Sequence, residues 1–219
     1  MKAVMFRLGA LAILSAGFMA QACLHAQVTA TAPEEETPQY AERLDVYGGA
    51  QYAHFNPSPG REVHAINLLG WQADGTVWMR TRFGIEVNAR GEYGTMDIPA
   101  NAYGVPPTAP MSEHLFLFGP NTRLMMHPHF VVGMHFLIGA AYGKFSDGFP
   151  SGVQPQYVDI YNDKLAMGLA VGPSVDYNLG PRLAVRLVPD WQPTKYGYPW
   201  QNEFAGSVGI VYKLGHRPQ

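Results

Sequence analysis

The sequence contains few cysteine and few charged residues compared with an ordinary soluble domain. Its 219 residues include a single cysteine, Cys23, so no disulfide can form within the chain. Charged residues make up 15% of the sequence, whereas about 25% is usual for a soluble domain. Hydrophobic residues reach 47%, and this combination indicates a surface that is partly covered by lipid.

Long apolar runs are also missing beyond the N-terminal segment. No later stretch reaches the roughly 18 residues that a membrane helix needs, and the nearest, Phe130 to Tyr142, is interrupted by His135. Because every backbone polar group must be satisfied within lipid, the remaining way to cross is a closed β-barrel.

The N-terminal segment is typical of secretion. Lys2 and Arg7 precede the apolar run Leu8 to Ala20, which predicts a signal peptide at 1–26, cleaved after Ala26. Cleavage before Cys23, which would leave a lipidated cysteine, is the alternative. Cleavage after Ala26 leaves 13 basic residues against 17 acidic ones, or −4, so we expect no nucleic-acid partner.

One stretch, Phe83 to Tyr93, defines the architecture. Its odd-numbered residues are apolar or small, and Glu86, Asn88, Arg90 and Glu92 alternate with them. At about 100° per residue a helix would scatter the apolar set, but a strand places it on one face. At roughly 3.3 Å per residue and a tilt near 45°, the strand climbs about 25 Å, the height of the apolar band of an outer-membrane barrel.

The chain after residue 42 divides into eight such blocks. We predict an all-β fold, a single eight-stranded antiparallel up-and-down transmembrane β-barrel at 43–214. Residues 27–42 are expected to be a disordered periplasmic lead-in and 215–219 a C-terminal tail. The predicted strands are Arg43–Phe55, Asn67–Trp78, Phe83–Tyr93, His114–Met125, His129–Gly143, Lys164–Tyr177, Arg182–Trp191 and Asn202–Leu214.

The connections between the predicted strands alternate in length. Short turns should face the periplasm together with the N-terminus, and long connections, chiefly Thr95 to Glu113 and Ser146 to Asp163, should face outward from the cell. Pro120 after Gly119 predicts a β-bulge there, and Pro173 and Pro189 raise the same expectation for their strands.

Aromatic residues on the apolar face sort into two levels once strand directions alternate. Such girdles anchor barrels at both membrane surfaces, with Leu, Ile, Val, Met and Ala between them. The turn-side girdle is Phe83, Phe130, Tyr177 and Tyr212, and the loop-side girdle is Tyr52, Trp71, Tyr93, Tyr142, Trp191 and Phe204.

The opposite face predicts a polar network inside the barrel. An eight-stranded interior is just wide enough for side chains to fill, so we expect Arg90 and Arg186 to be the cationic centres of buried ion pairs. The predicted lumenal network is Asp45, Glu86, Arg90, Glu92, Asp176, Arg186, Asp190, Glu203 and Lys213. His135 should also point inward, as a hydrogen-bonded group rather than a metal ligand.

The last block, Ser207-Val-Gly-Ile-Val-Tyr-Lys-Leu214, resembles the C-terminal assembly signal of the eight-stranded, OmpA-type outer-membrane barrels of diderm bacteria. Leu214 replaces the final aromatic, and five residues follow it. Gly70-Trp71 and Leu117-Phe-Gly-Pro120 also look like elements of this broad family. The resemblance implies an outer-membrane location and use of the barrel-assembly machinery, and it implies no reaction.

The sequence leaves several functions open. We expect a structural or surface-interaction barrel, monomeric and in contact with outer-membrane lipid, whose loops bind an extracellular ligand. A small diffusion pore is the main alternative, and a soluble lipocalin-like barrel is another. A lipid-modifying enzyme would need a Ser–His pair, for which His54 and Ser58 are the nearest candidates.

We predict no catalytic residues, no cofactor and no metal site, and treat His127 and His129 as turn residues.

Overall fold

A computed structural model of the chain describes residues 42–58 and 63–215. The predicted signal peptide, most of the lead-in and the last four residues of the predicted tail lie outside these ranges. The described part contains eight strands and one single-turn 3-10 helix, η1, at Pro155–Val158. None of the described residues forms a helix that is long and apolar enough to cross a membrane.

The eight strands form a closed barrel in which each strand pairs with its sequence neighbours and β8 pairs with β1. All the pairs are antiparallel, so the predicted fold class is confirmed. The strands are β1 Leu44–Phe55, β2 Ile66–Trp78, β3 Phe83–Asp97, β4 Thr108–Met126, β5 Phe130–Lys144, β6 Lys164–Asn178, β7 Leu183–Trp191 and β8 Phe204–Leu214.

The main difference from the predicted boundaries concerns β3 and β4. Both strands extend beyond the predicted limits toward the loop side and pair from Tyr93↔Ser112 to Asp97↔Thr108. The connection between them is therefore residues 98–107, shorter than the predicted Thr95 to Glu113. In the extension Met96, Ala109 and Met111 are buried, so the in–out alternation continues there above the polar part of the lumen.

The predicted bulge at Gly119 is wrong. The β3–β4 register runs through Gly119 and Pro120 without a shift, and the irregularity lies between Arg123 and Met125 in the β4–β5 ladder. Gly119 packs tightly instead, since a Cβ atom there would overlap the backbone carbonyl of Phe136. Leu124 and Met125 are consecutive exposed residues, which is what one extra residue in a strand produces.

Two prolines interrupt the ladder between β6 and β7. These strands pair at Val171↔Trp191 and again from Val175↔Leu187 onward, which places Pro173 opposite Pro189 in the gap. Neither proline has an N–H group to donate, so the ladder cannot be continuous at this point.

We predict that Gly119→Ala destabilises the barrel by about 1–3 kcal/mol, because the added methyl group would force β4 away from β5. Gly75→Ala is the matched control, since a Cβ atom at Gly75 meets nothing within 4 Å. Heat-modifiable gel migration and denaturant unfolding in detergent would measure both variants. Equal stability of the two would contradict the packing argument.

Candidate functional site: the barrel lumen and its cap

The lumen holds most of the buried charge of the described chain, and acidic groups are in excess. Nine buried carboxylates face four buried basic side chains and one histidine. The acidic residues are Glu42, Asp45, Asp74, Glu86, Glu92, Glu113, Asp176, Asp190 and Glu203, and the others are Arg90, Arg123, Arg186, Lys213 and His135. Buried charges are costly unless they are paired, so the partners of each carboxylate decide what the lumen can do.

Arg186 connects two opposite parts of the wall. Its Nε and Nη2 atoms donate to the two Asp176 oxygens at 2.7 and 2.9 Å, a bidentate pair across β6 and β7. Its guanidinium also lies 3.5 Å from Asp74 Oδ1 and 3.7 Å from Asp45 Oδ2. One cation thereby balances carboxylates from β1, β2 and β6.

Arg123 closes the turn-side end of the lumen. Its Nη2 atom lies 3.1 Å from Asp45 Oδ2, it forms an ion pair with Glu42, and its guanidinium stacks 3.7 Å above the Trp78 ring. Nearby, Lys213 Nζ donates to Asn178 Oδ1 at 2.7 Å.

His135 and Arg90 form the middle of the network. The imidazole Nδ1 lies 3.2 Å from Glu86 Oε2, and Nε2 lies 2.9 Å from Asp190 Oδ1. The other Asp190 oxygen pairs with Arg90 Nη2 at 2.6 Å. These contacts join β3, β5 and β7 across the bore.

Three carboxylates, Glu92, Glu113 and Glu203, meet near the loop-side rim. One oxygen of each lies within 4.8 Å of those of the other two, and all three residues are fully buried. Glu92 and Glu113 are directly opposite on β3 and β4, while Glu203 immediately precedes β8. Within the described chain, none of the three forms a salt bridge with a basic side chain.

Neutral groups surround these three carboxylates, which we call the rim triad. Thr194 Oγ1 donates to Glu203 Oε1 at 2.5 Å, and Tyr196 OH donates to Glu113 Oε1 at 2.8 Å. The amide nitrogens of Gln192 and Gln51 donate to Glu92. Burial raises the pKa of the Tyr196 phenol, and the Glu113 carboxylate raises it further, so the phenol stays a donor.

The rest of the loop-side lumen is apolar. Phe55 and Phe145 stack with centroids 5.8 Å apart, and Tyr196 meets both rings edge-on. Leu115 and Leu117 extend the same buried cluster down the wall from β4. The lumen is therefore not polar throughout. A polar network fills its turn-side and middle parts, and an apolar cluster packs beside the rim triad at the loop side.

The exterior presents the aromatic residues predicted for the two girdles, and all ten are exposed. Phe130 lies opposite Tyr177 near the turns, and Trp191 lies opposite Phe204 near the loops. The outward-facing residues between the two girdles differ from the predicted Leu, Ile, Val, Met and Ala, because Phe116, Phe118 and Phe136 also face outward there.

No protein-family model and no curated protein sequence matches the chain. Among solved structures, it is similar to the attachment invasion locus protein Ail of Yersinia pestis, in complex with the heparin analogue sucrose octasulfate. The two chains are 12% identical, and the TM-score is 0.52. The alignment covers 79% of this chain and 99% of the Ail chain. It is also similar to the outer-membrane protein OprG of Pseudomonas aeruginosa, with 12% identity, 80% and 96% coverage and a TM-score of 0.56.

The fold is that of a small outer-membrane β-barrel. At 12% identity the likeness concerns the fold alone, so the contacts within this barrel have to supply any statement about its function.

The structure places all nine predicted network residues in the lumen, but it does not gather them around two arginines. Arg90 contacts Asp190 and Arg186 contacts Asp176, whereas Glu203 binds neutral partners. Sequence reasoning missed Arg123 as the third cationic centre. Its two-residue spacing from Asn121, which is also buried, was the signal that could have identified it.

Glu113 was also missed, because the predicted β4 began one residue later. The inward alternation Met111, Glu113, Leu115, Leu117 would have included it. Gln192 and Thr194 lie outside any strand, and no periodic signal marks residues that reach the lumen from a connection.

The other chemical candidates have separate partners. His54 Nδ1 lies 2.9 Å from Asn67 Oδ1, while Ser58 Oγ donates to Asp159 Oδ2 at 2.5 Å. His127 and His129 have ring centroids 5.9 Å apart, and His127 stacks on Phe130.

We predict that Arg186→Met lowers the free energy of unfolding by about 3–5 kcal/mol, because Asp176 and Asp74 would remain buried without their cation. Arg182→Met, at the exposed β6–β7 turn, is the matched control and should be nearly neutral. Denaturant unfolding of refolded barrels would give both values. A neutral Arg186→Met variant would show that the ion pairs contribute little.

Proposed function

We propose that the chain is an outer-membrane barrel with an occluded lumen, and that its function is carried by a structured surface of extracellular loops. The observation that carries this proposal is the arrangement of two long connections, residues 98–107 and 145–163, which meet above the filled lumen. Between them lies a groove of about 480 Å³.

The groove combines aromatic and amide side chains. It is lined by Pro99, Ala100, Asn101, Ala102, Tyr103, Gln156, Tyr157, Val158 and Asp159. The rings of Tyr103 and Tyr157, one from each connection, lie 5.3 Å apart and are half exposed. Exposed tyrosines are common in protein recognition surfaces, because they offer a large contact area at a small cost in side-chain entropy.

The loops are held in place by their own hydrogen bonds. Asn101 Oδ1 accepts from the backbone N–H groups of Tyr103 and Val105 at 3.1 Å each. Asp163 accepts from the Phe145 and Ser146 backbone N–H groups at 2.6 and 2.9 Å. Such bracing lowers the entropy that a partner would otherwise have to remove on binding.

A second exposed aromatic group lies on the β7–β8 connection. Tyr198 is 99% exposed, and Lys195 Nζ lies 5.5 Å from the centre of the partly exposed Trp200 ring. In the described loops at this end, Lys195 is the single Lys or Arg. The described loop surface therefore suits a partner with apolar or neutral groups.

Several features support this role over the alternatives. Eight strands leave little bore, and here Arg186, Arg90 and the Phe55–Phe145 stack occupy it. The separate partners of Ser58 and His54 support a non-enzymatic protein. The outward aromatic girdles favour lipid over a soluble, ligand-filled barrel.

We predict that the purified protein in planar bilayers shows no sustained conductance, because charged and aromatic side chains block the lumen. The measurement should include Arg90→Ala and the exposed-site control Arg82→Ala. Sustained, ion-selective current that Arg90→Ala alters without unfolding the barrel would establish a pore instead.

We predict that the long connections face outward from the cell. Ala102→Cys and Ser151→Cys should react with an impermeant thiol reagent on whole cells, and Gly180→Cys, at the β6–β7 turn, should not. Cys23 lies in the predicted signal peptide, so the mature chain offers no competing thiol. Labelling of Gly180→Cys alone would reverse the orientation, and recovery of the protein in the soluble periplasmic fraction would contradict the membrane location.

A further inference from the structure

We infer that the rim triad is a binding site for one Ca²⁺ ion. The ion would connect the β3–β4 side of the barrel to the residue before β8 at the loop-side rim. This site is separate from the loop surface proposed above, and the two can fail independently.

Charge balance is the first argument. Among the buried carboxylates, those of the turn-side and middle network have Arg123, Arg186, Arg90 or His135 within 4 Å. Among the described residues, Glu92, Glu113 and Glu203 form no salt bridge with a basic side chain; their partners are hydroxyl and amide groups, and Glu113 also hydrogen-bonds to Glu203. Three carboxylates without a counter-charge in a dry interior repel one another strongly, and a divalent cation would remove most of that repulsion.

Unused ligand atoms are the second argument. Glu92 Oε2 and Glu113 Oε2 are buried and accept no hydrogen bond from an N–H group or a hydroxyl. The same holds for the Gln51 amide oxygen, on a side chain that is 97% buried and contacts Glu92 through its amide nitrogen. A buried amide oxygen without a donor costs about 1–3 kcal/mol, so an ion bound beside Glu92 would also offer the neighbouring Gln51 amide a partner that the protein itself does not supply.

The spacing of the oxygens allows one ion to contact all three, and the ligand types and the burial of the site favour calcium. Calcium binds oxygen ligands at about 2.4 Å, so two ligands on opposite sides of the ion lie about 4.8 Å apart. The three carboxylate oxygens lie within that distance of one another. No cysteine or histidine belongs to the group, which favours a hard cation, and Mg²⁺ is less suitable because it gives up its water reluctantly in a fully buried site.

The position of the triad gives the ion a structural role. Glu92 and Glu113 belong to the neighbouring strands β3 and β4, whereas Glu203 lies immediately before β8, and β1 and β2 separate β8 from β3. Thr194 and Tyr196, which hold Glu203 and Glu113, come from the β7–β8 connection. A bound ion would therefore fix opposite walls and this connection to one another.

Direct metal binding by the mature protein tests the inference. The barrel is refolded into detergent micelles with Ca²⁺ or with chelator, desalted, and analysed for bound metal and for its unfolding midpoint. We expect about one tightly held Ca²⁺ per chain and a higher midpoint with the ion, since a ligand of the native state stabilises it. A correctly folded barrel that holds no Ca²⁺, with a midpoint unaffected by chelator, would overturn the inference and leave shared protons as the source of charge balance.

Isosteric variants locate the ion. Glu113→Gln and Glu203→Gln should each weaken Ca²⁺ binding at least about tenfold, since even an outer-shell partner of a metal is worth that much. Asp97→Asn, an exposed acid at the end of β3, is the matched control and should bind as the original chain does. Unchanged binding in both glutamine variants would show an adventitious ion elsewhere.

Terbium provides a readout that does not depend on stability. Tyr196 OH lies 2.8 Å from Glu113 Oε1, so Tb³⁺ at the triad should show tyrosine-sensitised emission that Ca²⁺ competes away and that Tyr196→Phe reduces. Emission that is insensitive to both Ca²⁺ and Tyr196→Phe would place the ion outside the triad.

Discussion

Closure of the sheet between β1 and β8 is the constraint on which the rest of the structure depends. The pairing runs from Leu44↔Leu214 to His54↔Phe204 and leaves no strand edge. In a lipid environment an unpaired edge would cost several kcal/mol for each exposed backbone group. Once the ring is closed, every second side chain must point into a narrow lumen, and the remaining ones must face lipid.

The narrow lumen then determines how charge can be accommodated. Each inward side chain meets others from across the bore, so partners are residues distant in sequence. His135, for example, lies between Glu86 and Asp190. Basic side chains occupy the turn-side and middle levels, where most carboxylates are paired. At the loop-side rim, carboxylates are present without basic side chains to pair with them. This excess of acidic groups distinguishes the rim triad from the network at the other two levels.

Local alternation predicted the fold because a period of two is a property of each strand by itself. Partners across the lumen were less predictable, since Arg123 and Glu42 meet only through the closed ring. The expected bulge at Gly119 is absent because the missing N–H of Pro120 interrupts the β4–β5 ladder between Phe118↔Ile138 and Asn121↔His135 without a change of register. The residues that hold the triad from the β7–β8 connection, Gln192 and Thr194, follow no strand period, and so no sequence pattern revealed them.

The β7–β8 connection links the lumen to the outer surface, because it contacts the rim triad at one end and carries exposed aromatic residues at the other. Thr194 pairs with Gln201 in a short antiparallel bridge, so the chain between them turns back on itself. Tyr196 at the base of this turn reaches down to Glu113, while Tyr198 at its tip is fully exposed. The outer aromatic group is thus positioned by contacts inside the barrel. A change in the charge of the rim triad would act directly on the base of the turn that presents Tyr198.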